Sequence, residues 1–247
     1  MIDLHSHILP GVDDGARSLE EARELALQAA AEGIAAIAAT PHVRADYPTT
    51  PDEMEWGVEE LRADFEAEGI PIRVLHGAEL DLSLLWQVPP EDLRRLTIGQ
   101  TGRYLLLETP YRGWPMALAS AVRSLVHSGI IPLLAHPERN PEVQDRPDHV
   151  RELVDAGALV QVTASSLAGG LNRAVQLAAE QLIELGLVHV LASDAHGPHI
   201  ARGGIPAAVE ALGNEALARY LTVDVPTAIV AGEDTPAAPQ VRHSAGS

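Results

Sequence analysis

The stretch MIDLHSHILPGVDDG, residues 1–15, decides the reading of this chain. Ile2 and Leu4 open a short apolar run that ends in His5 and His7. In an extended strand, residues two apart point to the same side. Both imidazoles can therefore reach one ion. An acidic loop, Asp13-Asp14-Gly15, follows closely. Asp14 is a further candidate ligand, with an Asx-turn before Gly15 as the plainer alternative.

The pattern recurs along the chain. Short β-like runs at 2–4, 34–39, 72–75, 104–107, 131–135, 159–162 and 188–192 alternate with helix-like stretches. The latter lie at 19–31, 51–67, 116–128, 148–156, 173–185 and 206–212. Ser18, placed before Glu20 and Glu21, marks a helix start. Gly33, Gly129, Gly157 and Gly186 each follow a helical pattern, where a left-handed cap is expected. Such alternation predicts parallel strands joined by helical crossovers, as a barrel or a doubly wound sheet. One α/β domain over residues 1–232 is expected. Residues 233–247, rich in Ala, Pro, Gly and Ser, are expected to form a disordered tail.

Nearly every predicted strand ends in a side chain able to hold a metal. The second runs into His42, the third reaches Glu79, the fourth ends at Glu108 and the fifth at His136. The seventh leads to Asp194 and His196, which repeat the one-residue spacing of His5 and His7. The sixth, ending in Thr163, Ser165 and Ser166, is the exception. In a parallel barrel the C-terminal strand ends share one face, so residues distant in sequence converge there. Sites with two ions hold them about 3.5–4 Å apart and need bridging carboxylates. Glu79 and Asp194 are the candidates. Water on such an ion deprotonates near neutral pH and is a nucleophile without serine or cysteine.

Composition narrows the chemistry. The 247 residues suit one α/β barrel, and 46 % hydrophobic content supplies its core. There is no cysteine, so disulfides, thiolate ligands and a cysteine nucleophile are excluded. Nitrogen and oxygen ligands suit Mn, Fe, Zn or Mg. The formal charge of −18 argues against nucleic acid as a partner. All 17 basic residues are arginine, which rules out lysine Schiff-base chemistry. No apolar run reaches the ~20 residues of a membrane span, and no basic, then apolar, leader is visible. A soluble cytoplasmic protein is expected.

The motifs resemble those of the polymerase-and-histidinol-phosphatase (PHP) superfamily. More closely, they are similar to the bacterial PHP-type protein-tyrosine phosphatases of capsule and exopolysaccharide systems. The resemblance rests on residues 1–15 and on the segments at 39–42, 77–80, 107–110, 135–139 and 193–196. It implies a distorted, seven-stranded TIM-like (β/α) barrel with two or three divalent ions, often manganese. It carries metal binding to His5, His7, His42, Glu79, Glu108, His136, Asp194 and His196, with Asp14 in the same motif. It assigns phosphate contacts to Arg139 and Arg202. Arginine suits that role, because its planar fork binds phosphate oxygens bidentately and stays charged. Arg44 and Arg112, in loops after His42 and Glu108, are candidate substrate-binding residues.

The expected reaction is hydrolysis of phosphotyrosine on proteins in capsule or exopolysaccharide regulation, with a bacterial tyrosine kinase as a candidate partner. A small-molecule phosphatase, such as one for histidinol phosphate, is the rival within enzymes. A metal-binding regulatory module without turnover is the rival outside them. An intact ligand set disfavours the latter.

Overall fold

The computed structural model describes residues 1–198 and 204–239. Among these, ten strands form two sheets. The smaller joins β1 (Ile2–Ser6), β2 (Ala36–Ala39) and β5 (Arg73–His76), in the order β1-β2-β5. The larger holds β3 (His42–Arg44), β4 (Tyr47–Pro48), β6 (Glu79–Asp81), β7 (Tyr104–Glu108), β8 (Ile131–Ala135), β9 (Leu159–Thr163) and β10 (Val190–Ala192). Its order is β10-β9-β8-β7-β6-β3-β4. Every pairing is parallel except the short β3–β4 hairpin. Parallel neighbours need long crossovers, and helices supply them. Helix Leu19–Ala31 links β1 to β2, Pro51–Glu68 leads to β5, Leu118–His127 joins β7 to β8, and Arg173–Glu184 joins β9 to β10.

Two expected strands, 34–39 and 72–75, appear as β2 and β5, and each is followed by a further short strand that the pattern did not include. Past β2 the chain meets Pro41, which has no N–H for a ladder. The strand resumes as β3 in the other sheet. β5 is likewise cut from β6 by Gly77-Ala78. A Cβ at Gly77 would lie 2.9 Å from the Thr40 side chain, so only glycine allows the two crossings to pack. These breaks explain why β3, β4 and β6 are absent from the sequence reading. The two sheets meet again at their other edge. Ser6 and Ala195 form an isolated parallel bridge, with Asp194 N–H donating to the His5 carbonyl and His7 N–H to that of Ala195.

The core is aliphatic. Leu4, Ile37, Leu80, Leu106, Leu134, Val160 and Leu191 from successive strands are fully buried. Each such side chain contributes roughly 1.5–3 kcal/mol relative to exposure. Helix caps follow the sequence: Ser18 accepts the Glu21 N–H, and Gly33, Gly129, Gly157 and Gly186 take positive φ. No described helix is long and apolar enough to cross a membrane. Near the C-terminus, the Tyr104 hydroxyl donates to the Glu233 carbonyl and Arg103 pairs with Asp234. Residues 240–247, the end of the expected tail, lie outside the described residues.

Candidate metal centre

Ligand-type side chains gather where the strands' C-terminal ends meet. β1 delivers His5 and His7, β3 opens with His42, β6 opens with Glu79 and β7 ends at Glu108. His136 follows β8, and Asp194 and His196 follow β10. His136 and Asp194 take positive φ (33° and 54°), which non-glycine residues rarely adopt. Such strain is tolerated where surrounding structure holds it and a functional direction is gained.

Glu79 is the centre of the cluster. One carboxylate oxygen lies 2.9 Å from His42 Nδ1 and the other 2.9 Å from His136 Nε2. His5 Nε2 and His7 Nε2 are 3.2 Å apart and both face Asp194 Oδ1 at 3.3 Å. Asp14 Oδ1 sits 3.4 Å from His42 Nε2 and 3.5 Å from His196 Nε2. Among the described residues four overlapping sets emerge, each with ligand atoms within 4.8 Å of one another. They are His7/Asp14/His42/His196, His5/Glu79/His136, His5/His7/Asp194 and His42/Glu79/Glu108. Together they contain all nine residues the sequence offered as ligands.

The donor set fits divalent cations on the structure's own terms. Asp194 and Glu79 are deeply buried carboxylates. Buried polar atoms His42 Nδ1, Glu79 Oε2 and Glu108 Oε1 lack an aligned hydrogen bond, an arrangement that ions would relieve. Protons must otherwise balance the charge. Burial alone would lower the His7 pKa, but Asp13, Asp194 and Glu79 raise it to about 10. Burial would raise Glu79 and Asp194, but His5 and its neighbours hold both carboxyls well below the usual range. Glu108 is pushed up by burial and by the charge of Glu79.

Residues outside the sequence prediction hold this set in place. Asp13 Oδ2 accepts from His7 Nδ1 at 2.7 Å and from the His42 N–H at 2.9 Å. Its other oxygen accepts the Gly15 N–H, so the Asx-turn belongs to Asp13 and leaves Asp14 facing the cluster. Burial raises Asp13, but His7 outweighs it and the carboxyl falls to about 2. A Cβ on Gly15 would fall 2.1 Å from the His7 carbonyl oxygen, so glycine is required for this loop to close on β1. Gln161 of β9 places its side-chain oxygen 3.1 Å from His5 Nδ1 and accepts the His136 N–H. The fully buried Glu138 accepts from the Thr163 N–H and the Ser166 hydroxyl, which fixes the turn between His136 and Arg139. The doublet beside Gly15 was the available signal for Asp13. Gln161 and Glu138 carry no local signal, because their partners are remote in sequence.

The arginines divide. Arg139 reaches the cluster, 2.5 Å from Asp194 Oδ2 and 3.2 Å from the Thr163 hydroxyl. Arg44 stands at its edge, 3.9 Å from Glu108 and 4.0 Å from Asp14. Arg112 is exposed and makes no ion pair among the described residues. Arg202 lies outside the described residues. Two tyrosines flank the mouth: Tyr47 stacks on His42 at 5.9 Å and Tyr111 on His136 at 5.7 Å.

Comparison with known proteins agrees with this geometry. Residues 1–229 match the family described as "Capsular polysaccharide synthesis, CpsB/CapC". The chain is 36 % identical over 199 residues to tyrosine-protein phosphatase YwqE of Bacillus subtilis, covering 79 % of this chain and 77 % of that protein. It is 29 % identical over 204 residues to tyrosine-protein phosphatase CpsB of Streptococcus pneumoniae, covering 79 % and 83 %. A crystal structure from work on these two proteins, described as unique metal-dependent tyrosine phosphatases, superposes with a TM-score of 0.87. That match has 31 % identity and covers 98 % of this chain and all of the other. A probable 2-pyrone-4,6-dicarboxylic acid hydrolase of Acinetobacter baumannii, 14 % identical with a TM-score of 0.56, shares the fold alone, over 93 % of this chain and 98 % of its own. The chain belongs to the CpsB/CapC family of capsular polysaccharide synthesis.

Proposed function

We propose that this protein hydrolyses phosphotyrosine on protein substrates, in capsule or exopolysaccharide regulation, with divalent ions held by the strand-end cluster. The observation that carries the reading is the convergence of four overlapping ligand sets, two of them sharing Glu79, in a chain whose relatives are tyrosine phosphatases. His5, His7, His42, Glu79, Glu108, His136, Asp194, His196 and Asp14 are the ligands in this reading. Bound divalent ions would supply an activated water and Lewis-acid stabilisation of phosphoryl charge. Manganese is the metal of choice, with iron, zinc and magnesium compatible with the same donors.

The chain's own residues do the remaining work. Asp13 and Gln161 fix the ring orientation of His7 and His5. Arg139, tied to Asp194 and Thr163, presents donors toward the phosphoryl oxygens as charge spreads over them. Arg44, at the edge of the cluster, extends this positive lining, and Arg112 and Arg202 are assigned substrate contacts from their loops. A bacterial tyrosine kinase is the proposed partner, since it carries the phosphotyrosine to be removed. The two sheets are read as one distorted seven-stranded barrel. The Ser6–Ala195 bridge and the continuation of β2 into β3 and of β5 into β6 support this.

The test compares phosphotyrosine peptide, phosphoserine peptide and histidinol phosphate as substrates, with added manganese and with chelator. Manganese-dependent release of phosphate from the phosphotyrosine peptide is expected. Turnover that survives chelation would sink the metal-based reading. Strong preference for histidinol phosphate would move the protein to small-molecule chemistry.

A further inference from the structure

A groove of about 880 Å³ runs beside the metal centre, between the loop at residues 9–12, the β3–β4 hairpin and helix Pro51–Glu68. Nothing in the catalytic reading uses it. Its volume is that of a site for a drug-sized ligand, enough for several amino-acid side chains. The walls are apolar, with Leu9, Val12, Tyr47 and Trp56 among them. Trp56 is 66 % exposed, an unusual cost for so large an apolar side chain.

The groove adjoins the cluster through Tyr47 and the loop that carries Asp13 and Asp14. Tyr47 lines it and also stacks on His42. The loop at 9–12 runs directly into Asp13 and Asp14. Helix Pro51–Glu68 presents Glu53, Gly57, Glu60 and Asp64 along it, a spacing that keeps one helical face. Gly57 is a poor helix former. Here it adds no side chain to the wall, and the channel stays open.

The charge is one-sided. Asp46, Glu53, Glu60 and Asp64 line the groove, and among the described residues no arginine or histidine does. Asp46 is paired with Arg44 and Asp64 with Arg23. Glu53 caps its own helix through Thr50, and neither it nor Glu60 has an ion-pair partner among the described residues. Glu60 therefore stands without a cationic partner beside apolar walls, and Glu53 adds negative charge that only its own helix cap offsets.

We propose that this groove holds the polypeptide flanking the phosphotyrosine, and that it selects substrate segments with apolar and basic side chains there. The proposal rests on the phosphatase reading, because it places the phosphorylated residue at the cluster. Phosphate is drawn to the cations and arginines, while the flanking chain meets an acidic, apolar channel. A polar or acidic flank gains nothing from these walls or is repelled by them.

The test uses the full, manganese-loaded protein and three phosphotyrosine peptides of equal length. Their flanks are Leu/Arg, Gly/Ser or Asp/Glu, and p-nitrophenyl phosphate serves as a substrate without flanks. Fluorescence anisotropy of labelled versions of the same peptides, with a non-hydrolysable phosphonate in place of the phosphate, gives binding independently of turnover. The Leu/Arg peptide is expected to bind at least tenfold more tightly than the Gly/Ser peptide, with the Asp/Glu peptide weakest. Trp56→Ala should raise the KM of the Leu/Arg peptide several-fold with kcat unchanged. Glu60→Arg should weaken the Leu/Arg peptide and strengthen the Asp/Glu peptide. Neither change should alter hydrolysis of p-nitrophenyl phosphate. Equal binding of the three peptides, or variants that act alike on peptides and on p-nitrophenyl phosphate, would overturn the groove. Failure to hydrolyse any aryl phosphate would overturn the phosphatase reading instead, and the anisotropy measurement would still decide the groove.

Discussion

Asp13 accepts the His7 ring at 2.7 Å with the same carboxylate oxygen that accepts the backbone N–H of His42. One side chain thereby sets the orientation of an imidazole from β1 and the position of the strand that carries another. Asp13→Asn puts an amide where an acceptor is needed. Loss of such an outer partner costs about 10–100-fold in metal affinity or activity. Manganese titration of the variant should show a loss in that range with the fold retained by circular dichroism. Unchanged affinity would mean that Asp13 does not orient His7.

Arg139 faces Asp194 at 2.5 Å and is held by the Thr163 hydroxyl. Its assigned task is to stabilise charge, not to hold the ions. Arg139→Ala is expected to lower kcat/KM for phosphotyrosine peptide by about 10²–10³, the range for deleting one donor to a developing anion. Bound manganese, measured on the purified variant, should stay at the wild-type level. A parallel loss of metal would reassign Arg139 to structural support of Asp194.

The pH dependence of the chelated protein follows from His7. Its folded pKa is raised to about 10, against an ordinary value of 6.5: burial opposes the shift, and Asp13, Asp194 and Glu79 overcome it. A base raised on folding contributes stability that is fully present below 6.5 and is lost as pH rises through about 10. Urea midpoints of the chelated protein should therefore fall between pH 7 and pH 10. Added manganese should flatten the trend, since cations then replace protons as the balancing charge. A chelated protein whose midpoint climbs over that interval would contradict the assignment.

His189 acts in the opposite direction. It is half-buried just before β10, and its Nδ1 accepts the Val160 N–H, which requires the neutral ring. Burial lowers its pKa to about 4. Its stabilising contribution is present above 6.5 and is lost as pH falls toward 4. The full effect is on the order of 3 kcal/mol, at 1.36 kcal/mol for each tenfold in proton affinity, and solvent around the half-buried ring reduces it. His189→Gln keeps an acceptor for Val160 without titrating. Comparison of the two proteins between pH 7 and pH 4 should show the wild type losing more stability.

Much of the fold was legible because periodicity is local. Helix Leu19–Ala31 has the bounds that the pattern set, and β8 (Ile131–Ala135) coincides with its run. The second and third runs were read as whole strands. Just beyond each run the chain crosses to the other sheet and forms β3 or β6, and Pro41 and Gly77 show why only when the packing of Thr40 is seen. The short helices Pro90–Arg95 and Pro141–Asp145 were missed, since one or two turns hold too few residues to show a period.

For the site, the sequence by itself determined which groups are present: two-residue spacings that turn His5 with His7 to one side, and ligand-type residues at the ends of strands. Those are properties of single elements, fixed by backbone geometry alone. Only the tertiary structure decided how the elements share ligands around Glu79. It also made Asp13, not Asp14, the turn-forming acid, set Arg139 but not Arg112 against the cluster, and opened a groove under Trp56. The reason is physical. Each of these depends on distances between segments far apart in the chain, which the packing of strands and helices sets and no local pattern records.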